Sequence, residues 1–195
     1  VDGLNTGLNG IRFLSGGSLT VENVHVQEFT QVGIDYEPNQ AGNSQLFVSD
    51  SLLQNNAGGG VLVKPAGGGL AKASLVRVNS ILNLFGVRAE DSATVTVNDS
   101  TASQNSSSGF LAVSTTLATS MFIDNSIAAS NGTAATDGGI NAIGTLAKIR
   151  ISNVTTTDNQ RGLTTSSHGS ILSFGNNLNS GNASNGTPSG TLPLQ

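Results

Sequence analysis

The feature that most limits what this chain can fold into is a glycine followed by an apolar residue, a pair that returns seven times. It stands at Gly10-Ile11, Gly33-Ile34, Gly60-Val61, Gly86-Val87, Gly109-Phe110, Gly139-Ile140 and Gly162-Leu163, at intervals of 23, 27, 26, 23, 30 and 23 residues. A second pattern lies inside each interval: two apolar residues one apart, then a stop at Asn, Asp or Ser. It reads LTVEN from Leu19, LFVSD from Leu46, VRVNS from Val76 and VTVND from Val95. It continues as MFIDN from Met121, IRISN from Ile149 and LSFGN from Leu172. A third, weaker stretch often closes on another Asn: Asn55, Asn105, Asn131, Asn159 or Asn182. Apolar residues at every second position are the period of a strand, whose side chains alternate between its faces. Units this short cannot bury an apolar face alone, but they can if they coil and stack.

The spacing therefore predicts an all-β solenoid of about seven coils, each with three short strands and three turns. Equivalent residues then lie over one another, about 4.8 Å apart. Ile11, Ile34, Val61, Val87, Phe110, Ile140 and Leu163 form one inward ladder, and Val21, Val48, Val78 and Val97 another. The stop position becomes a structural ladder of Asn23, Asp50, Ser80, Asp99, Asn125, Asn153 and Asn176. Asn tolerates bent backbone, and its amide can pair with the amides above and below. Where such a group is buried, its loss is expected to cost about 1–3 kcal/mol. Residues 1–185 form the solenoid, and the turn-rich tail 186–195 is placed as a cap over the last rung. Val1, Leu4 and Leu8 read as part of an earlier rung, so further coils or a cap are expected upstream of them.

Composition agrees with stacked strands. Charged residues are 10% of the 195 and hydrophobic residues 36%, with 25 Gly and no Cys. Val, Ile, Thr, Ser, Asn and Gly are strand and turn residues. A net charge of −4 argues against a nucleic-acid partner, which calls for a basic face. No apolar run reaches the length of a membrane-spanning helix, so no membrane insertion is expected. Without Cys there is neither a disulfide framework nor a thiolate metal site.

The GIRF, GIDY, GVLV and GVRA openings, with the LTVEN, LFVSD and IRISN segments after them, resemble the right-handed parallel β-helix of the pectate-lyase-like group. The stretches GLNGIRFLSGGSLTVENV and GGGVLVKPAGG look more closely like uncharacterised bacterial proteins known only to contain β-helix repeats. The resemblance implies a right-handed single-stranded parallel β-helix and a secreted or cell-surface location. In the lyases and hydrolases of that group the substrate groove runs along one parallel sheet, commonly the one that corresponds to the Gly-apolar strands.

Alternation places the outward side chains of those strands in two rows. One is Arg12, Asp35, Leu62, Arg88, Leu111, Asn141 and Thr164; the other is Leu14, Glu37, Lys64, Glu90, Val113, Ile143 and Ser166. Charge gathers on the first four rungs, with Asp91 just beyond. Asp35, Glu37, Lys64, Arg88 and Glu90 are the catalytic candidates, and Arg12 and Arg88 the substrate-binding ones. In a polysaccharide lyase or glycoside hydrolase, carboxylates there would hold Ca²⁺ or act as acid and base, and Arg or Lys would take a proton or bind a uronate. Opposite charges on neighbouring rungs are equally the pairs of a solvated face.

Other features point away from catalysis. The insertions at 37–44, 64–73 and 130–138 are short, there is no adjacent Asp-Asp pair, and no compact Asp cluster marks a strong Ca²⁺ site. His25 and His168 fall on different rungs, so no shared metal is expected of them, and Lys148 and Arg150 are expected to face water. Six Asn-x-Ser/Thr matches, among them Asn131 and Asn153, are expected by chance in so Asn-rich a chain. There is no Trp, and Tyr36 points inward by register, so aromatic platforms for sugars are poor. Two readings follow: an extracellular or cell-surface module with a structural, adhesive or assembly role and no cofactor, or an enzyme on an acidic polysaccharide. Polysaccharide contact and end-to-end self-association are the partners expected.

Overall fold

The computed structural model describes residues 1–193; residues 194 and 195, the end of the expected cap, lie outside the described part. Its regular elements are short strands in parallel pairs, and among the described residues there is no helix. One sheet has seven strands: Ile11–Phe13, Val32–Tyr36, Gly59–Val63, Val87–Glu90, Phe110–Val113, Ile140–Ile143 and Leu163–Ser166. Each pairs only with the equivalent strand one coil before or after it, so the chain forms a β-solenoid of about six turns. The Gly-apolar ladder is in register from end to end, Ile11 to Ile34, Val61, Val87, Phe110, Ile140 and Leu163. From Ile34 onward these side chains are buried.

The second sheet has thirteen strands in two limbs that meet at a bend. Two strands, Asn43–Gln54 and Leu70–Ile81, run through both limbs without a break, and in the other coils the bend separates two strands. The inward column of the first limb is Val21, Val48, Leu75, Val97, Ile123 and Ile151, all buried. Leu75, not Val78, stands in the third rung: the VRVNS segment lies three residues past the position expected from its pattern. The reason is the bend. Arg77 adopts a left-handed conformation, φ 54°, which flips the alternation, so Val76 faces out and Val78 faces the core of the next limb.

The bend ladder is accordingly Asn23, Asp50, Arg77, Asp99, Asn125, Asn153 and Gly175, all with positive φ between 44° and 86°. Two expected members are displaced. Ser80 points into the core, where its hydroxyl donates to the Gly86 carbonyl at 2.9 Å. Asn176 sits one residue past the bend, because Ile171 and Ser173, rather than Leu172 and Phe174, face inward in the last full rung. The Asn176 side chain still reaches back to accept from the Asn153 backbone N–H at 3.1 Å. This ladder lies on the surface: Arg77 grips Asp50 at 2.6 and 2.8 Å, and Asn153 donates to Asn125 at 2.8 Å, all exposed.

The amide ladder inside the molecule is a different one, at the turn that leads into each Gly-apolar pair: Asn56, Asn83, Asn105, Asn131, Asn159 and Asn182. Each Oδ1 from Asn83 on accepts the backbone N–H of the Asn one coil earlier, at 2.8–3.1 Å. Each Nδ2 donates to a carbonyl of the previous coil, Leu53 for Asn83, Ser80 for Asn105 and Ala102 for Asn131. Sequence placed Asn105, Asn131, Asn159 and Asn182 at this turn, chose the exposed Asn55 over the buried Asn56, and missed Asn83.

Five of the seven repeat glycines, Gly33, Gly86, Gly109, Gly139 and Gly162, make room for this ladder. None of the seven has positive φ. A Cβ on Gly109 would lie 2.7 Å from the Gly139 carbonyl and 2.9 Å from Asn131 Nδ2, and one on Gly139 2.8 Å from Asn159 Nδ2. Real Cβ atoms do not come that close, so the amide of one element fits because the other element lacks a side chain.

At the ends, residues 2–10 stack on 27–33 as the last part of a coil, with Gly3 N donating to Gln27 O and Gly10 N to Val32 O. At the other end, Gly190–Thr191 pairs with Ser170–Ser173 and lays the tail along the last rung.

Candidate functional site

The seven-stranded sheet presents its outward rows as alternation predicts. Arg12 pairs in register with Asp35, Asp35 with Leu62, Leu62 with Arg88, Arg88 with Leu111, and the row continues through Asn141 and Thr164. Strand pairing thus brings Arg12, Asp35 and Glu37 together on two rungs, and Lys64, Arg88 and Glu90 on two others, with Leu62 between the groups.

Both groups are closed on themselves. Arg12 Nε lies 3.0 Å from Asp35 Oδ2, and its Nη2 3.3 Å from Glu37 Oε2. Lys64 Nζ lies 3.2 Å from Glu90 Oε2, while the other Glu90 oxygen meets Arg88 Nη2. The Arg88 guanidinium also rests on the Phe85 ring, 5.6 Å from its centroid. Asp35 is the most deeply set, 4% exposed, and its Oδ1 has no hydrogen-bond partner. Burial pushes its carboxyl above the usual carboxylate range, and neighbouring Glu37 adds to this, while Arg12 and Lys64 pull the other way. Tyr36 faces inward and is buried, stacked on Phe13 at 4.8 Å with the rings 9° apart, so it offers nothing to a sugar.

Asp91 belongs to a turn instead. Its carboxylate accepts from the backbone N–H groups of Thr115 at 2.8 Å, Thr116 at 3.3 Å and Leu117 at 3.1 Å, and from the Thr115 hydroxyl. Partial burial works to raise its pKa, but these hydrogen bonds prevail and hold it below the usual value. His25 is exposed in the strand His25–Gln27, and His168 is exposed in a turn after the seventh strand of the other sheet. Among the described residues no group of three or more His, Asp or Glu side chains is placed to hold a metal ion.

A cleft of about 270 Å³ opens on the same sheet over its fifth to seventh strands, beyond the charged groups. The loop 130–138 walls it, pinned by Asp137, which accepts from the Ala134 N–H at 2.8 Å and the Ser107 hydroxyl at 3.1 Å. Asn141, 5% exposed, lies beneath that loop and donates to the Thr136 carbonyl at 3.2 Å. Arg161, Thr164 and Ser166 form the far side. Of these, Asn141, Thr164 and Ser166 stood in the predicted outward rows. What sequence did not reveal is that the extra residues of the 30-residue interval from Gly109, seven more than in the 23-residue intervals, fold back over them.

No family model matches this chain, and neither does any curated protein or solved structure. Among the described residues no helix is long and apolar enough to cross a membrane.

Proposed function

We propose that this solenoid is a non-catalytic module, a stiff rod with a structural, adhesive or assembly role at a cell surface or outside the cell. The observation that carries the reading is the closure of the charged rows. Each of the six groups Arg12, Asp35, Glu37, Lys64, Arg88 and Glu90 is held in an ion pair with another of them. A general base needs a lone pair that a substrate proton can reach. Asp35 is buried against Arg12 instead, and Glu90 is shared between two cations. A kinship with the pectate-lyase-like β-helices, including bacterial ones, accords with this scaffold, which hosts many activities and none.

The competing reading, a lyase or hydrolase acting on an acidic polysaccharide along the seven-stranded sheet, rests on the raised Asp35 carboxyl. The two are separated by incubating the protein with acidic polysaccharides, with and without Ca²⁺, and following unsaturated-uronate absorbance and new reducing ends. No turnover is expected. Turnover that disappears in a folded Asp35→Asn, Glu37→Gln, Arg88→Gln variant would replace the rod by the enzyme. Copies joined end to end would lengthen such a rod, and light scattering over a range of concentrations would show a rising mass.

A further inference from the structure

The chain has eight Lys and Arg residues, and they divide into two sets. Arg12, Lys64, Arg77 and Arg88 are in ion pairs. Lys72, Lys148, Arg150 and Arg161 have none among the described residues. Two of these unpaired cations, Lys148 and Arg150, stand two residues apart on one strand, Ala147–Ser152, and both face out because Ile149 between them is buried. Side chains so spaced lie about 7 Å apart on one face of a sheet.

Their neighbours are set by register. Ser120 and Ser170 flank Lys148 on the coils before and after, and Phe122 and Leu172 flank Arg150. The Arg150 guanidinium is already oriented: Nη1 donates to Ser120 Oγ at 3.2 Å. Around Lys148 and Arg150 the surface dips into a cleft of about 270 Å³, closed on one side by Thr145 and Leu146 of the turn that enters the strand. The cleft has no acidic lining residue. The nearest acid in register, Asp124, sits on the row beyond Phe122 and pairs across to Ser152, not to either cation.

We infer that this cleft, on the outer face of the second sheet at the fifth to seventh coils, is a binding site for an oxyanion group, a carboxylate or a sulfate or phosphate ester. A planar guanidinium presents parallel N–H donors that match two oxygens of such a group, and an ammonium adds a point charge beside it. The Ser120 and Ser170 hydroxyls are within one coil of both and complete the set of donors. Phe122, half-buried next to Arg150 and edge-on to Phe174 at 6.2 Å, offers an apolar margin for the body that carries the anion. The site is independent of the rod reading and of the paired charges on the other sheet. Leaving two cations unpaired in a protein of net charge −4 is otherwise a missed electrostatic gain, since twelve carboxylates were available to pair with them.

The test is an amide chemical-shift titration of the full chain with sodium sulfate and, separately, with glucuronate, with glucose as the uncharged control. Saturable shifts centred on residues 120, 148–150 and 170 are expected with at least one anion and not with glucose. Shifts with sulfate alone identify an ester-type ligand, and stronger binding of glucuronate identifies a carboxylate. Arg150→Gln and Lys148→Gln are expected to weaken binding about tenfold or more, the scale of a lost charge-assisted hydrogen bond. Lys72→Gln, with the same change of charge three coils away, leaves it within about twofold, since that separation exceeds a Debye length. Absence of saturable shifts with both anions overturns the proposal. So does binding that survives in both Arg150→Gln and Lys148→Gln, whose outward positions leave the melting temperature as a check that each is folded.

Discussion

Replacing Asn131 by alanine tests the interior ladder where it is most completely connected. The residue is fully buried. Its Oδ1 accepts from Asn105 N at 3.1 Å and Asn105 Nδ2 at 2.8 Å, and its Nδ2 donates to Ala102 O and Asn159 Oδ1, both at 2.9 Å. Alanine deletes all four, leaves the buried Asn105 N–H without its acceptor and leaves Asn105 Nδ2 with only the Ser80 carbonyl. A hydrogen bond contributes about 1 kcal/mol net, and a buried group left without a partner costs about 1–3 kcal/mol. Relaxation around a site this enclosed recovers part of that, so a loss of about 3–5 kcal/mol is expected, a large share of the ~5–15 kcal/mol that holds a typical protein folded. Urea denaturation followed by circular dichroism measures it. Asn153→Ala is the internal reference. That side chain is exposed and makes one side-chain bond, to Asn125, so its loss together with an alanine at φ 51° should cost no more than about 1–2 kcal/mol. If Asn131→Ala came within 1 kcal/mol of Asn153→Ala, the claim that the buried amides hold the coils in register would be wrong.

Three further outcomes follow from the same geometry. Gly109→Ala pushes a methyl against the Gly139 carbonyl and the Asn131 amide, and should cost about 2–4 kcal/mol in the same denaturation experiment. Asp35 has a folded-state pKa above its unfolded one, so its contribution is greatest in acid and declines as pH rises through the carboxylate range. Asp35→Asn should therefore gain stability relative to the parent between pH 4 and pH 7, about 1 kcal/mol or less, and a constant difference in melting temperature across that range would contradict this. Asp91 shows the reverse: its folded pKa is lowered, so its stabilising effect is present at neutral pH and lost as pH falls. Asp91→Asn should open the turn 114–117 to limited proteolysis, read as a new cleavage site by mass spectrometry.

The coil, its length and the register of the seven-stranded sheet were legible because Gly-apolar pairs carry two signals at once, a period and a requirement for space. The second sheet was legible only where its bend residue was Asn or Asp. At Arg77 nothing in the side chain announces a left-handed turn, and the Val76-x-Val78 pair offered a false match three residues late. At the last rung the inward Ser173 broke the apolar pattern, since its hydroxyl serves Gly175 N and Asn177 Nδ2, at 3.0 and 2.9 Å. The charged rows could be placed by alternation, but whether those charges were free or paired depends on side-chain reach across coils, which spacing does not encode. Lys148 and Arg150 were legible as outward cations; the cleft around them was not, because the turn at 144–146 that walls it has no signature.

The way glycine and asparagine interlock bears on how such a molecule can be cut and rejoined. Coils of unequal length keep the same interior because the extra residues are spent outside the interlock, as in residues 132–137 between Asn131 and Gly139. Asn105 and Asn131 each sit between ladder asparagines of the coils above and below, so joining residue 104 directly to Asn131 removes a single storey and leaves two matching surfaces to close. Length then becomes a free variable of this architecture, adjustable in steps of one strand spacing, while the cross-section stays constant.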